Sequence, residues 1–208
     1  MKKLILTTAF ALAIASNAFA ENFSDHSLNI NMTSGDTTIS AGTGASYDFA
    51  DSANVYGIKH DFGMAYGQIE LIDGDNSVDD YRFTVGKLFT TASVDEVTGE
   101  PDRVTFYAAP ELHYTVGDSF AKDELRISPS IGVAFDTGLV TPYAELGYDW
   151  KSSEGDLFDF ARADAYAELG VAMPVSDKAS VQVAIMQDLD SDLESVDREV
   201  ALTFNVSF

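Results

Sequence analysis

Between residues 125 and 135 the chain alternates without a break. Leu125, Ile127, Pro129, Ile131, Val133 and Phe135 take one parity, and Arg126, Ser128, Ser130, Gly132 and Ala134 take the other. Successive side chains of a strand point to opposite faces, so this segment is a ribbon with one apolar side and one polar, small-residue side. The same period of two recurs along most of the sequence, bounded each time by Gly, Asp, Asn or Ser clusters that favour turns. It predicts ten strands, at residues 37–49, 54–62, 64–72, 80–90, 103–116, 125–135, 139–151, 160–173, 179–189 and 197–208. Helical spacing is scarce, and past Glu21 no run approaches the ~18 consecutive apolar residues of a membrane helix. The fold expected is all-β and antiparallel. Leu28, Ile30 and Met32 alternate as well, either as a lead-in or as an extension of the first strand.

At 208 residues, with 46% apolar and 12% aromatic content, the chain is one domain with enough apolar surface to fold, despite a net charge of −22. That charge repels phosphate backbones and excludes nucleic acid as a partner. The absence of cysteine removes disulfide scaffolds, thiolate metal sites and thiol catalysis. The first residues, Met1-Lys2-Lys3, an apolar run over 4–15 and Ser16-Asn17-Ala18-Phe19-Ala20, have the three parts of a secretory signal peptide. Cleavage after Ala20 divides the chain into a signal at 1–20 and a barrel domain at 21–208. Losing Lys2 and Lys3 leaves 10 bases against 34 acids, so the exported chain carries −24.

Many alternating strands fit either a soluble sandwich or a membrane-embedded barrel, which exchanges the two faces: apolar outward, polar inward. Several features favour the barrel. Most of the predicted strands reach the about 9–11 residues that a tilted membrane strand needs. Aromatics gather at strand ends on the apolar parity, as with Tyr47, Phe49, Tyr81, Phe89, Phe135, Tyr148 and Trp150, where a membrane–water interface suits them. Arg82, Arg103, Arg126 and Arg162 share the polar parity with Glu70, Glu111, Glu145, Asp164 and Glu168. These nine residues are the candidate lumen ion-pair network, because Arg at the lipid midplane costs about 2–4 kcal/mol. Glycines of the same parity, Gly42, Gly44, Gly57, Gly86, Gly132, Gly147 and Gly170, leave room for the long Arg and Glu side chains.

At the C-terminus Val200, Leu202, Phe204, Val206 and Phe208 alternate up to a terminal phenylalanine. Here the sequence resembles the bacterial outer-membrane β-barrel family, whose last strand ends in an aromatic residue after alternating apolar positions. The resemblance implies an up-and-down transmembrane barrel of about ten strands, with eight and twelve as alternatives, in a Gram-negative outer membrane. It also implies that the barrel assembly machinery reads those five residues. Both termini of an even-stranded barrel lie on the periplasmic side. Turns at 62–63, 136–138 and 174–178 then face the periplasm, and the loops at 73–79, 117–124, 152–159, 190–195 and near Asp51 face outward. The connection at 91–102 is long for a periplasmic turn. Pro110, Pro129 and Pro142 fall inside strands, where a residue without an N–H is normally excluded, and local bulges are expected there.

Ten strands lie near the closed end of the barrel series, since open channels appear at about 16–18. The lumen is then either a narrow porin-like pathway gated by Arg and Glu or a static ion-pair plug. The second suits a structural, surface-adhesive or lipopolysaccharide-interacting barrel, monomeric among membrane lipids. Asp188, Asp190, Asp192, Glu194 and Glu199 echo the oxygen spacing of a calcium loop, but Leu193 stands where the sharp turn requires Gly. Asp73, Asp75, Asn76, Asp79 and Asp80 form a second acidic cluster. Solvated loops with weak divalent-cation binding are the expectation, with no built metal site and no cofactor. His113, Glu111 and Thr115 share one face, which resembles the His-x-Ser pair of outer-membrane lipid hydrolases. Thr replaces Ser here and the parity points inward, so an enzyme is not expected.

Overall fold

The computed structural model describes residues 35–46, 52–74, 80–91, 103–116, 123–152, 159–160, 162–189 and 195–208. The strands are β1 (Thr37–Ser46), β2 (Ser52–Asp61), β3 (Tyr66–Gly74), β4 (Asp80–Gly86), β5 (Phe89–Thr90), β6 (Val104–Val116), β7 (Glu124–Phe135), β8 (Thr141–Lys151), β9 (Arg162–Ser176), β10 (Ala179–Leu189) and β11 (Ser195–Ser207). All pairings are antiparallel, β1 closes on β11, and β4 and β5 both pair with β6. The two-residue β5 continues the line of β4 after a break, so the sheet is a closed up-and-down barrel of ten staves. The signal at 1–20, Leu28 to Met32, Tyr47, Phe49 and most of the outward loops lie outside the described residues.

Alternation decides which face is which. Ile58, Ile69, Val85, Leu112, Ile131, Leu146, Leu169, Val183 and Leu202 stand exposed around the outside, with Ile131 at 63% and Leu169 at 65%. A soluble chain would hide such a continuous apolar surface. Here it forms a belt, bounded by Tyr81, Tyr148 and Trp150 toward one rim and by Phe62, Phe89, Phe135 and Phe208 toward the other. Tyr148 and Trp150 meet edge to face, with ring centroids 4.8 Å apart. The buried side chains face the lumen and are mostly polar: Gln68, Glu70, Arg82, Glu111, His113, Ser128, Glu145, Glu168, Gln182 and Asn205 among them. An apolar exterior around a polar interior is the inverse of a soluble core and is the arrangement of a transmembrane β-barrel.

The rim that carries both Thr37 and Phe208 also carries the short turns and is called the turn end below; the opposite rim is the loop end. At the turn end Gly63 and Gly138 adopt φ of 83° and 81°, a conformation that side chains with a Cβ rarely take. The backbone N–H of Gly138 donates to Asp136 Oδ1 at 2.7 Å, and Thr137 N donates to the Val140 carbonyl at 3.1 Å. The turn expected at 174–178 is shorter than its sequence suggested, because β9 runs on to Ser176 and an irregularity at Ala179/Ser180 takes up the extra residue.

The prolines correct another expectation. No register shift occurs at any of them. Pro110 pairs directly with Pro129, and the N–H each lacks falls at a gap in the adjoining ladder: between β4 and β5 for Pro110, and between Ile127 and Ser130 of the β7–β8 ladder for Pro129. Pro142 pairs in register with Val171, one residue beyond the last β7–β8 partner, Tyr143. The chain interrupts the ladder where proline cannot donate and leaves the strand straight. The register shifts lie elsewhere, at Ala179/Ser180 and Asp188/Leu189.

Candidate functional site

The barrel lumen is the candidate site, and its middle is built from tyrosine, glycine and glutamate. Register places Tyr66 opposite Gly86, Tyr107 opposite Gly132, Tyr143 opposite Gly170 and Tyr166 opposite Gly147. In each pair the tyrosine ring lies over the glycine so closely that a Cβ there would overlap ring atoms. Glycine in a strand leaves backbone bare, and an aromatic neighbour covers it. This corrects the expectation that the glycines make room for Arg and Glu at four of them, which make room for tyrosine; Gly57 does make room for Glu70, whose Cγ would lie 3.1 Å from a Cβ there. The four rings are all buried.

Each covered glycine also directs a hydroxyl. Tyr66 reaches across Gly86 of β4 and donates to Glu111 of β6, the residue paired with Gly86 on its other side. Tyr166 donates to Glu145 at 2.9 Å, and Tyr143 donates to Glu168 while accepting from Gln182 Nε2. Tyr107 lies over Gly132, whose partner on β8 is Glu145. Glu145 and Glu168 face each other directly across β8 and β9, and the same row continues through Met186 to Glu199. Glu145 is 2% and Glu168 3% exposed. Carboxyl groups that deep persist only when hydrogen-bonded, and the tyrosine hydroxyls are what they find, with Gln182 supporting one of those hydroxyls in turn.

The bases lie to either side of this layer. Arg82, 3% exposed, pairs in register with Glu70, with Nε 3.8 Å from Oε2. Lys59 Nζ sits 3.7 Å from the Tyr66 ring centroid, a cation–π contact. His113 is enclosed between Thr84 Oγ1, 2.8 Å from Nδ1, and Glu111 Oε2, 3.3 Å from Nε2. Nearer the loop end Arg126 bridges Glu124 at 3.2 Å and Asp149 at 3.3 Å, and Ser128 donates to Asp149 at 2.6 Å. Lys151 meets Asp164 at 3.2 Å.

Of the nine residues proposed from sequence, Glu70, Arg82, Glu111, Arg126, Glu145, Asp164 and Glu168 line the lumen in these three groups. Arg103 does not: it lies exposed just before β6, where its carbonyl accepts from Asp136 N at 2.7 Å. It shares the parity but stands beyond the strand, so parity alone misplaced it. Arg162 opens β9 opposite Lys151, and its side chain lies outside the described residues. Sequence reasoning missed Lys59, Gln182 and above all the four tyrosines. A signal existed, since Tyr66, Tyr107, Tyr143 and Tyr166 fall on the polar parity, unlike the other aromatics. Asp75, Asp79, Asp190, Asp192 and Glu194 of the acidic loops lie outside the described residues. Asp188 and Glu199 stand in β10 and β11, and no group of three or more His, Asp or Glu is arranged to hold a metal among the described residues.

No family model matches the chain. No curated protein matches it in sequence. Among solved structures, similarity extends to a de novo designed transmembrane β-barrel, with TM-score 0.40 and 10% identity over 85% of this chain and 98% of that one. It extends also to the outer membrane enzyme PagL, with TM-score 0.38 and 16% identity over 81% and 98%. A third similar structure comes from work on in-meso crystallization of membrane proteins, with TM-score 0.41 and 10% identity over 82% and 83%. Scores of this size say nothing of activity, and the closed antiparallel barrel stands on the chain's own strand pairing.

Proposed function

We propose that the chain is a structural integral barrel of a Gram-negative outer membrane, its lumen sealed by side chains, and not an open porin. The observation that carries this reading is the burial of the lumen charges: Glu70, Arg82, Glu145 and Glu168 are enclosed by neighbours, whereas residues lining a water-filled pore would be wet. The apolar belt supports membrane residence, and the signal-like residues 1–20 support export. Val200, Leu202, Phe204, Val206 and Phe208 follow the pattern of the assembly signal read by the barrel assembly machinery. Lipid and lipopolysaccharide are the partners of a monomer, with weak divalent-cation binding at the acidic loops. Catalysis is not part of the reading, because His113 is buried with both ring nitrogens engaged and cannot approach a lipid ester.

Planar-bilayer conductance tests the seal. The wild type should be silent, and removing two of the covering rings together, Tyr143→Ala with Tyr166→Ala, should produce single-channel steps. Steady wild-type steps altered by Arg126→Ala or Glu145→Ala would instead establish a narrow pathway. Folded protein should also migrate differently unheated and boiled in detergent gels, and a chain fully soluble without detergent would refute membrane residence.

A further inference from the structure

On the outer surface, polar groups gather at the turn end where the apolar belt stops. Ile39 and Ile58 are exposed on the outward parity of β1 and β2, and two residues nearer the rim the same parity brings Thr37 and His60. These two are partners in register, with Thr37 Oγ1 2.8 Å from His60 Nδ1. The exposed Phe62 meets the imidazole edge to face, with ring centroids 4.6 Å apart, and lies 3.3 Å from where a Cβ of Gly67, the β3 partner of His60, would stand. The imidazole is thus held from two sides, and its Nε2 has no hydrogen-bond partner among the described residues. A base completes the row. Lys87 follows the outward-facing Val85, itself the partner of Gly67, and its Nζ donates to the Gly63 carbonyl at 2.6 Å. That contact sets an ammonium on the turn that carries Phe62, with further N–H groups left for another acceptor. Asp61, the acid of this turn, accepts from Gly63 N through Oδ1.

We propose that this row binds the phosphate of an anionic phospholipid in the leaflet at the turn end, an inference that rests on the membrane reading above. The phosphate diester accepts from Lys87 Nζ and His60 Nε2, and the acyl chains run along Ile58 and Ile39 toward the middle of the belt. Binding selects one imidazole tautomer, in which Nε2 carries the hydrogen and Thr37 Oγ1 donates to Nδ1. Interfacial aromatic rings alone would anchor the barrel without regard to headgroup charge. A fixed ammonium beside them adds a preference for lipids of net negative charge.

Full-length barrel with isotope-labelled histidine and lysine side chains, reconstituted in phosphatidylglycerol bilayers, tests this by nitrogen–phosphorus dipolar dephasing in solid-state NMR. Dephasing of His60 Nε2 and Lys87 Nζ is expected, with the nitrogen shifts of the Nε2-protonated tautomer. In a competition read by native mass spectrometry, the barrel should retain phosphatidylglycerol over phosphatidylcholine by about fivefold, the factor for one base at an anionic lipid surface. Lys87→Gln should abolish that preference and Lys87→Arg should keep it. Inorganic phosphate added to the barrel in dodecyl maltoside should leave the His60 resonances unmoved, and a saturable shift there would overturn a lipid as the occupant. An inserted barrel without dephasing at either nitrogen, or with equal retention of the two lipids, would overturn the headgroup site and leave membrane residence standing. A chain that does not enter the bilayer would overturn both. The dephasing arm uses the wild type, so a failure of either Lys87 variant to fold leaves the test intact.

Discussion

The two walls of the lumen are built on different plans. From β3 through β9 the inward positions are crowded with long groups: Tyr66, Glu70, Arg82, Tyr107, Glu111, His113, Tyr143, Glu145, Tyr166 and Glu168. From β10 through β11 and β1 to β2 most are small: Ser180, Ala184, Ala201, Thr203, Thr38, Ser40, Gly42, Gly44, Ala53 and Gly57. A narrow barrel leaves little room at its axis, so the long groups of one wall face mainly short ones, with Lys59, Gln182, Met186 and Glu199 the exceptions. The crowded wall is also the interlocked one, since Tyr66, Tyr143 and Tyr166 each join a glycine beneath to a carboxyl ahead. The difference teaches that glycines of one parity in one barrel serve different purposes: four accept a ring, Gly57 accepts the Glu70 side chain, and Gly42 lies against Thr203 of the neighbouring strand.

Substitutions can break that contrast, and the largest effect is expected at the buried ion pair. Arg82→Met should destabilise by about 3–5 kcal/mol, because it leaves Glu70 a deep carboxylate without its paired base. Equilibrium unfolding from detergent or bilayer into urea measures this, and a cost below about 1 kcal/mol would show that the pair contributes little. Next comes a glycine from each wall. Gly147→Ala drives a Cβ into the Tyr166 ring and should cost about 2–3 kcal/mol, whereas Gly42→Ala meets Thr203 Oγ1 at 3.0 Å and the Leu202 carbonyl at 3.2 Å and should cost about 1 kcal/mol. Equal costs in the same unfolding experiment would erase the distinction between the walls. Comparable to the Gly42 change is Tyr166→Phe, which keeps the ring over Gly147 and removes only its hydrogen bond to Glu145, for about 1–2 kcal/mol.

Much of the architecture was legible because period two is a local property. The alternation of residues 125–135 reappears as β7, with Ile127, Ile131 and Phe135 outside and Ser128, Ser130 and Ala134 inside. The ten staves follow the ten alternating segments closely. What could not be read was register across the sheet. Tyr143 and Gly170 lie far apart in sequence, and nothing local says that they are opposite each other; that depends on the connection between β8 and β9, which sets one unbroken register from Thr141 with Ala172 to Lys151 with Arg162. Arg103 shows the complementary failure, since parity gives a face but not whether a residue is still inside the strand. The prolines were readable as a conflict, but the resolution required knowing which neighbouring ladder had a gap.

The closure of the barrel has a further consequence. Every ladder but one joins strands that follow each other along the chain, with only the short β5 between β4 and β6. The exception, β1 with β11, brings Thr37 and Phe208 within one backbone hydrogen bond, Phe208 N to the Thr37 carbonyl at 2.9 Å. Until β11 arrives, β1 presents an open edge, so the final ladder must wait for the whole chain and bears the largest loop-closure entropy. Once closed, the ring of staves has no intrinsic first member. A permuted chain, joined between those two residues and reopened at the Asp136–Gly138 turn, would contain every ladder described here, while moving the late-closing seam to β7 and β8.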